Sequence, residues 1–433
     1  MVLKKTKISF TFSILFILLS LSPSYVSAKT FNVSNAAQFR IALESAALNG
    51  QDDTIILDAG TYKTTDDGGG TFKFFDKEKH DLIIKAKKGL THNDVILDGD
   101  YKNGVFDYTN TKGAALVLDG ITIKNGKAEI GGGVYCYSDK ENYIDSRVTV
   151  TNSAIYGNSA TDGGGFYCNA SRVTVAGSSI FDNSATDGGA IYCDATRVTV
   201  TNSTIYGNTA AVSGGGIYCY VSSVTVANST IYGNSSAEGR GGGIYCSGNV
   251  IITNSTISGN YAGGYSGGGG ICSFGNVTVT KSAISENTVG RENGGGIYCA
   301  GVIKVASSTI LENYAFKNGG GIYCYSDSDS NDESYVSVTN STLSGNIAAG
   351  SGGAIYFYSN KDSYNRVTVT NSEIYGNTAT DGRENGIYEG GTFKQATGVS
   401  CDFARSDFRL GVGPIAISKG LNPIHRLLKN DKR

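Results

Sequence analysis

Four carboxylates lie close together in one short polar segment, separated only by serine and asparagine. They are Asp327, Asp329, Asp332 and Glu333. Calcium takes about six to eight oxygen ligands, and carboxylates supply many of them. The segment is therefore a candidate metal site for calcium, and a solvated polar loop is the alternative. No other pattern in the sequence requires a cofactor, so calcium is an optional one.

A row of tyrosines forms the second candidate site. Each lies in the middle of the tripeptide Ile-Tyr-Cys or a close variant of it. Exposed aromatic side chains in a row can stack on sugar rings or contact a protein partner. The copy Gly270-Ile271-Cys272 lacks its tyrosine, so we expect a gap in the row there. The candidate ligand-binding residues are Tyr135, Tyr167, Tyr192, Tyr218, Tyr245, Tyr298, Tyr323 and Tyr356.

Catalytic residues cannot be assigned from the sequence. The three histidines, His80, His92 and His425, all lie outside the repeats described below. The acidic pairs Asp52-Asp53 and Asp66-Asp67 fall in predicted turns before the regular repeats begin. No spacing therefore brings a general base together with a carboxylate cluster, and the catalytic residues stay unknown.

An internal repeat must position the candidate residues. Nine octamers related to Thr-Asn-Ser-Thr-Ile-Tyr-Gly-Asn recur from residue 151 to residue 377, about 25 to 33 residues apart. A Val-x-Val segment precedes each octamer, and a glycine cluster leading into Ile-Tyr-Cys follows it. Each repeat thus contains three short strand-like runs and no helical period. This length and pattern predict an all-β, right-handed parallel β-helix, a solenoid of about ten to twelve coils.

Alternation along a strand predicts which side chains point inward. In Ile-Tyr-Cys the isoleucine and the cysteine share one face, and the tyrosine takes the other. We therefore expect a buried isoleucine ladder, an outer tyrosine ladder and a buried ladder of thiols rather than disulfides. The asparagine that ends each octamer suits a corner, because it tolerates left-handed backbone and bonds to backbone groups. The predicted thiol ladder is Cys136, Cys168, Cys193, Cys219, Cys246, Cys272, Cys299 and Cys324.

One repeat carries a family resemblance. Phe181-Asp182-Asn183 followed by Gly188-Gly189-Ala190-Ile191 resembles the paired motifs of chlamydial polymorphic outer-membrane proteins. The resemblance extends over about residues 118–390 and implies a pectin-lyase-like right-handed β-helix that serves as a surface passenger. Proteins of that type end in a membrane β-barrel, whereas about 40 residues follow the last repeat here. The resemblance is therefore expected to lie in the repeats, without the C-terminal autotransporter barrel.

The sequence divides into four predicted segments. Residues 1–28 read as a signal peptide, with a basic start, an apolar middle and small residues before position 29. Residues 29–62 are the predicted N-terminal cap, in which Asn35 begins a helix that runs to Leu48 and buries Phe39, Leu43 and Leu48. The β-helix is expected over 63–390, and 391–433 form a C-terminal cap or tail.

Composition excludes some classes of function. The chain has 433 residues and a net charge of −2, without a basic patch, so nucleic acid is not an expected partner. No apolar stretch after the signal peptide is long enough to span a membrane. We expect a secreted or surface-displayed, non-enzymatic protein that binds a polysaccharide or a host or neighbour-cell surface protein. The alternative is a carbohydrate-active enzyme, a polysaccharide lyase or hydrolase, which the fold and the lyase-like opening at 54–62 would support.

Overall fold

The chain winds as a parallel β-helix, which confirms the predicted fold class. The computed structural model describes residues 28–410 except 78, 139–145, 170–171, 195–196, 221–222, 265–266, 327–333, 360–365, 381–386 and 391–407. In the regular coils the chain passes through sheets A, B, D and C in turn and then begins the next coil. Sheet B has 12 strands, one per coil, in agreement with the predicted number. The part of the chain described here contains no helix long and apolar enough to cross a membrane.

Sheet A consists of 13 parallel strands, and its regular members are the Val-x-Val segments. Their valines alternate with half-exposed residues because successive side chains of a strand point to opposite faces. The strands are Lys29–Val33, Asp53–Leu57, Leu82–Ala86, Ala115–Asp119, Arg147–Thr151, Arg172–Ala176, Arg197–Thr201, Val224–Ala227, Val250–Thr253, Val277–Thr280, Ile303–Ala306, Tyr335–Thr339 and Arg366–Thr370.

Sheet C also has 13 strands and contains the Ile-Tyr-Cys segments. Equivalent residues pair in register from coil to coil, so isoleucine stacks on isoleucine and tyrosine on tyrosine. The strands are Phe72–Asp76, Phe106–Asn110, Val134–Ser138, Phe166–Asn169, Ile191–Cys193, Ile217–Cys219, Ile244–Cys246, Ile271–Ser273, Ile297–Cys299, Ile322–Ser326, Ile355–Ser359, Ile387–Gly390 and Phe408–Leu410.

Sheet B contains the middle of each octamer. Its central isoleucine is buried, and its two neighbours face outward. The strands are Gly60–Lys63, Val95–Asp98, Thr122–Lys124, Ala154–Tyr156, Ser179–Phe181, Thr204–Tyr206, Thr230–Tyr232, Thr256–Ser258, Ala283–Ser285, Thr309–Leu311, Thr342–Ser344 and Glu373–Tyr375.

A fourth sheet, D, was not among the three runs predicted for each repeat. Its eight strands follow the octamer, and most have only two residues, which is too short for a periodic signal. The strands are Ser184–Asp187, Thr209–Ser213, Ser235–Ser236, Tyr261–Ala262, Thr288–Val289, Tyr314–Ala315, Ile347–Ala348 and Thr378–Ala379.

The N-terminal end is covered by one α-helix, Ala36–Ala46. Asn35 caps it as predicted, since its side chain accepts a hydrogen bond from the Gln38 amide at 2.9 Å. Phe39 and Leu43 are buried, but Leu48 is 86% exposed. The prediction that Leu48 shares their face is wrong because the helix ends at Ala46. The predicted segment boundaries at residues 62 and 390 stay predictions.

The asparagines that end the octamers form a continuous buried ladder. The Asn158 side-chain amide donates to the Asn183 side-chain oxygen Oδ1 at 2.9 Å, and the same bond recurs from coil to coil as far as Asn377. The left-handed residue is the one before the asparagine, such as Gly157 with φ of 65° or Asp182 with φ of 52°. The expectation of left-handed backbone at the asparagine is therefore wrong: its neighbour makes the turn, and its own side chain points inward.

Candidate ligand-binding surfaces

The predicted tyrosine row exists on the outer face of sheet C as two stacked runs, together named the sheet C ladder. In the first run the ring centroids of successive tyrosines lie 4.7 to 5.5 Å apart, and their planes are within 19° of parallel. In the second run the separations are 5.1 and 5.2 Å. The first run is Tyr135, Tyr167, Tyr192, Tyr218 and Tyr245, and the second is Tyr298, Tyr323 and Tyr356.

Stacking decides which part of each ring a ligand can reach. Inside a run each ring covers the faces of its neighbours, so the ladder presents ring edges and phenol hydroxyls. Most of these tyrosines are half-buried, and Tyr245 is buried. A sugar therefore cannot stack on a ring face in the middle of the ladder, but it can hydrogen-bond to the row of hydroxyls.

The hydroxyls stay neutral over a wide pH range. Burial, and to a smaller extent the nearby Asp194, raises the pKa of Tyr167 to about 12. Burial also raises the pKa of Tyr298 to about 12 and that of Tyr192, Tyr218 and Tyr323 above the usual value. Each phenol therefore remains both a donor and an acceptor of hydrogen bonds at neutral pH.

The gap in the ladder contains Cys272, which corrects one prediction. Ile271 pairs with Ile244, so Cys272 stands opposite Tyr245 and Ser273 stands opposite Cys246. Cys272 thus occupies the tyrosine position and does not belong to the thiol ladder. The prediction was wrong because it aligned residue types, whereas the register follows the isoleucine. The seven other described cysteines are buried as predicted, and none of the eight forms a disulfide.

Side chains from neighbouring positions fill this gap. The Phe274 ring lies 6.1 Å from the Tyr245 ring in an edge arrangement and 6.2 Å from the Tyr298 ring. The Arg240 guanidinium lies over Phe274, 5.1 Å from the ring centroid. Tyr245 is accordingly only 8% exposed, and Cys272 is buried with its pKa raised by desolvation. The end of the first run is therefore closed to a ligand.

A second stack of aromatic rings, the sheet B ladder, lies on the outer face of sheet B. Tyr156, Phe181, Tyr206 and Tyr232 stack with centroid separations of 4.7, 4.8 and 5.0 Å. The sequence carried the signal, because the sixth residue of the octamer is aromatic in these four copies. This ladder was not predicted, because the outward tyrosines were inferred from the Ile-Tyr-Cys segments alone.

Two polar cavities lie along the corner between sheets A and B. One, of about 600 Å³, is lined by Asn254, Thr256, Lys281 and neighbouring hydroxyl residues, and we call it the corner trough. The other, of about 530 Å³, is lined by residues that include Lys87, Lys88, His92 and Asp119. The His92 ring nitrogen Nδ1 is buried without a hydrogen-bond partner. Both cavities offer polar side chains of the kind that bind sugar hydroxyls.

The predicted calcium ligands Asp327, Asp329, Asp332 and Glu333 lie outside the described residues. Among the residues that are described, no group of three or more histidine, cysteine or acidic side chains is placed to hold a metal ion. The calcium site therefore stays a prediction.

Comparison with known families identifies the repeats. A model of the right handed beta helix region matches residues 82–249, and a model of the Chlamydia polymorphic membrane protein repeat matches residues 340–358. The chain carries a right-handed β-helix with a repeat of the polymorphic membrane protein type. No curated protein sequence matches the chain. The resemblance predicted from the repeats is confirmed.

Several solved structures are similar to this chain at low identity. Pectate lyase Pel9A is 16% identical with a TM-score of 0.40, over 66% of this chain and 78% of its own. The A-modules of the Azotobacter vinelandii mannuronan C-5 epimerases AlgE4 and AlgE6 are 13% and 12% identical, with TM-scores of 0.44 and 0.45. They cover 85% and 84% of this chain and 100% and 96% of their own chains.

Proposed function

We propose that this chain is an exported, surface-displayed β-helix that binds an extended glycan along the sheet C ladder without transforming it. The observation that carries the proposal is the uninterrupted run of five in-register tyrosines from Tyr135 to Tyr245. Their hydroxyls recur once per coil, at the strand spacing of about 4.8 Å. This interval is close to the length of one pyranose unit, so a linear glycan could meet one phenol with each unit.

The order of these side chains before binding strengthens this mode of binding. Because the rings are half-buried and stacked, their side-chain torsions are already restricted before a ligand arrives. Binding to ordered side chains loses less conformational entropy than binding to mobile ones. A regular row of ordered hydroxyls therefore favours a regular, extended ligand over a compact one.

The surface location rests on two sequence features. Residues 1–28 have the composition of a signal peptide, and residues 340–358 match a repeat of a membrane protein family from Chlamydia. Cell fractionation of the source cells tests this part: we expect the protein in the extracellular or outer-surface fraction. Recovery only from the cytosol would contradict it.

The binding experiment removes the hydroxyls and keeps the rings. Replacing Tyr167, Tyr192 and Tyr218 by phenylalanine preserves the stack, since Phe181 already occupies such a stack in the sheet B ladder. We expect weaker binding of linear oligosaccharides at an unchanged melting temperature. The matched control is Tyr206→Phe in the sheet B ladder, which should bind as the wild type does. Unchanged binding by the triple variant would overturn the proposal, and a protein-only partner would then be the better account.

A carbohydrate-active enzyme is the second candidate, and one cavity favours it. His92, Lys87 and Asp119 line the same polar space, so a base, a cation and a carboxylate lie near one another. A polysaccharide lyase would release unsaturated products that absorb in the ultraviolet. Incubation with anionic polysaccharides, with and without calcium, should give no such absorbance if the binding proposal is correct.

Calcium binding by Asp327, Asp329, Asp332 and Glu333 belongs to the proposal as an optional feature. Carboxylates so close together repel one another, and a divalent cation would relieve that repulsion. We expect millimolar calcium to raise the melting temperature of the wild type and not that of the variant with all three aspartates changed to asparagine. An unchanged melting temperature of the wild type in millimolar calcium would contradict the calcium site.

A further inference from the structure

The two aromatic ladders end differently, and the difference creates a second kind of site. The first run of the sheet C ladder ends at Tyr245, where Phe274 and Arg240 close the gap. The sheet B ladder ends at Tyr232, whose partner on the next coil is Ser258. A serine cannot cover an aromatic ring, and Tyr232 is 40% exposed against 8% for Tyr245.

The space beside the Tyr232 ring is open. Its other face stacks on Tyr206 at 5.0 Å with the planes 2° from parallel, so the ring is held in one orientation. A Cβ atom added to Gly233 would meet no atom within 4 Å, and one added to Gly259 would meet only a backbone nitrogen at 4.0 Å. The corner glycines thus add no side chain next to Tyr232, and the small Ser258 stands opposite its free face. The 40% exposure of Tyr232 agrees with this arrangement.

Polar groups adjoin this free face on the same coils. Ser258 follows Thr256 by two residues on one strand, so both side chains point outward from sheet B about 6.6 Å apart. Thr256 also lines the corner trough, together with Asn254 and Lys281. The Asn254 side-chain amide donates to the Asn228 side-chain oxygen Oδ1 at 2.7 Å, which fixes the orientation of the Asn254 side chain.

We propose that the free face of Tyr232 is a platform for one pyranose ring, whose hydroxyls bond to Thr256 and Asn254 in the corner trough. The Tyr232 ring belongs to a stack along the solenoid axis, so a sugar on it lies across that axis. Its substituents then point over sheet B towards the trough. The site takes a chain end or a branch rather than an extended chain, and it goes beyond the function proposed above, which uses another surface.

Two variants test the platform by different means. Tyr232→Ala removes the ring, and Ser258→Tyr covers its face by extending the stack as three earlier coils do. The probes are cellohexaose, which is neutral, and hexagalacturonate, which is anionic. They share the pyranose ring and differ in charge, so the probe that binds better shows whether the site prefers a neutral or an acidic glycan. The control is Tyr375→Ala, an exposed tyrosine in the same column that does not line the corner trough.

Both variants and the control are made together with the three phenylalanine substitutions of the sheet C ladder, so that this ladder does not mask the platform. We expect the two platform variants to bind the preferred probe about tenfold more weakly than this background, the size of one aromatic contact, and the control to bind as the background does. Because Ser258→Tyr adds a stacked ring, its loss of binding should come without a loss of melting temperature. Affinity equal to that of the background in both variants overturns the platform. If the phenylalanine variant of the sheet C ladder then binds weakly, the proposed function stands alone; a wild type that binds neither probe overturns both.

Discussion

At the scale of single residues, the buried asparagines stabilise the solenoid through hydrogen bonds to the neighbouring coils. Asn234 accepts hydrogen bonds from the backbone and side-chain amides of Asn208 at 3.1 and 2.9 Å. It also donates to Asn260 at 3.0 Å and to the Ile205 carbonyl oxygen at 3.0 Å. Because a buried polar group without a partner is costly, removing one member leaves several groups unsatisfied.

Asn234→Ala should therefore lower the free energy of unfolding by about 3 kcal/mol, the cost of two or three orphaned hydrogen-bonding groups. The matched control is Asn202→Gly, an exposed corner residue with φ of 48°. Glycine already stands at the equivalent position 177, so this change should be nearly neutral. Denaturant unfolding measures the free energy of unfolding of both variants. Equal losses from the two substitutions would contradict a stabilising role of the buried asparagine ladder.

The tyrosines make stability depend on alkaline pH. Their pKa is raised in the folded state, to about 12 for Tyr167, so the folded protein disfavours the phenolate. This contribution is fully present below about pH 10, the unfolded value, and is lost as the pH rises through the folded value. We expect a constant melting temperature from about pH 7 to 9 and a fall above about pH 10. The fall should be smaller in the variant with phenylalanine at 167, 192 and 218; a rise would contradict this account.

At the scale of the element, the helix at the N-terminal end shows what sequence can and cannot predict. Its cap residue Asn35 and its buried residues Phe39 and Leu43 were predicted from capping and periodicity. Its end was not, because no glycine or proline marks it and propensity alone would continue to Leu48. Cys272 was wrongly placed in the thiol ladder for the same reason. Its tripeptide was aligned by residue type, whereas the pairing of Ile271 with Ile244 sets the register.

The helix prediction is tested with two substitutions. Asn35→Ala removes the acceptor for the Gln38 amide and should cost about 1 kcal/mol of stability. Leu48→Ser should cost almost nothing, because Leu48 is 86% exposed. Thermal unfolding followed by circular dichroism compares them. A larger loss from Leu48→Ser would mean that the helix continues and buries this residue.

The thiol ladder is also an element-scale feature, and it predicts chemical inertness. Burial raises the pKa of Cys136, Cys193 and Cys324 well above the usual value, so these thiols stay protonated and unreactive. Cys246 differs, because a hydrogen bond with Cys219 lowers its pKa, and only its burial protects it. Few of the nine cysteines should react with a thiol reagent in the native protein, and all nine should react in guanidinium. Silence in both states would show that disulfides cross-link the ladder.

At the scale of the whole molecule, repetition turns small local features into long surfaces. Each coil from Tyr135 to Tyr245 adds one tyrosine to the face of sheet C, and the in-register pairing keeps the hydroxyls in line. The repeat was readable from the octamers, so the fold and the outward tyrosines were predicted. The sheet B ladder was readable in the same way from the sixth octamer position but was missed. The corner trough could not be predicted, because it depends on how two sheets meet.

Binding along the sheet C ladder should depend on the length of the glycan. The first run has five tyrosines, of which Tyr245 is buried, so each added sugar unit should meet one more hydroxyl from Tyr135 to Tyr218. The decisive measurement is the affinity of the mature protein for linear oligosaccharides of increasing length. We predict an affinity that rises with each unit up to about four units and then levels off, and that loses this rise in the phenylalanine variant. Affinity that is already maximal with one or two units would contradict it.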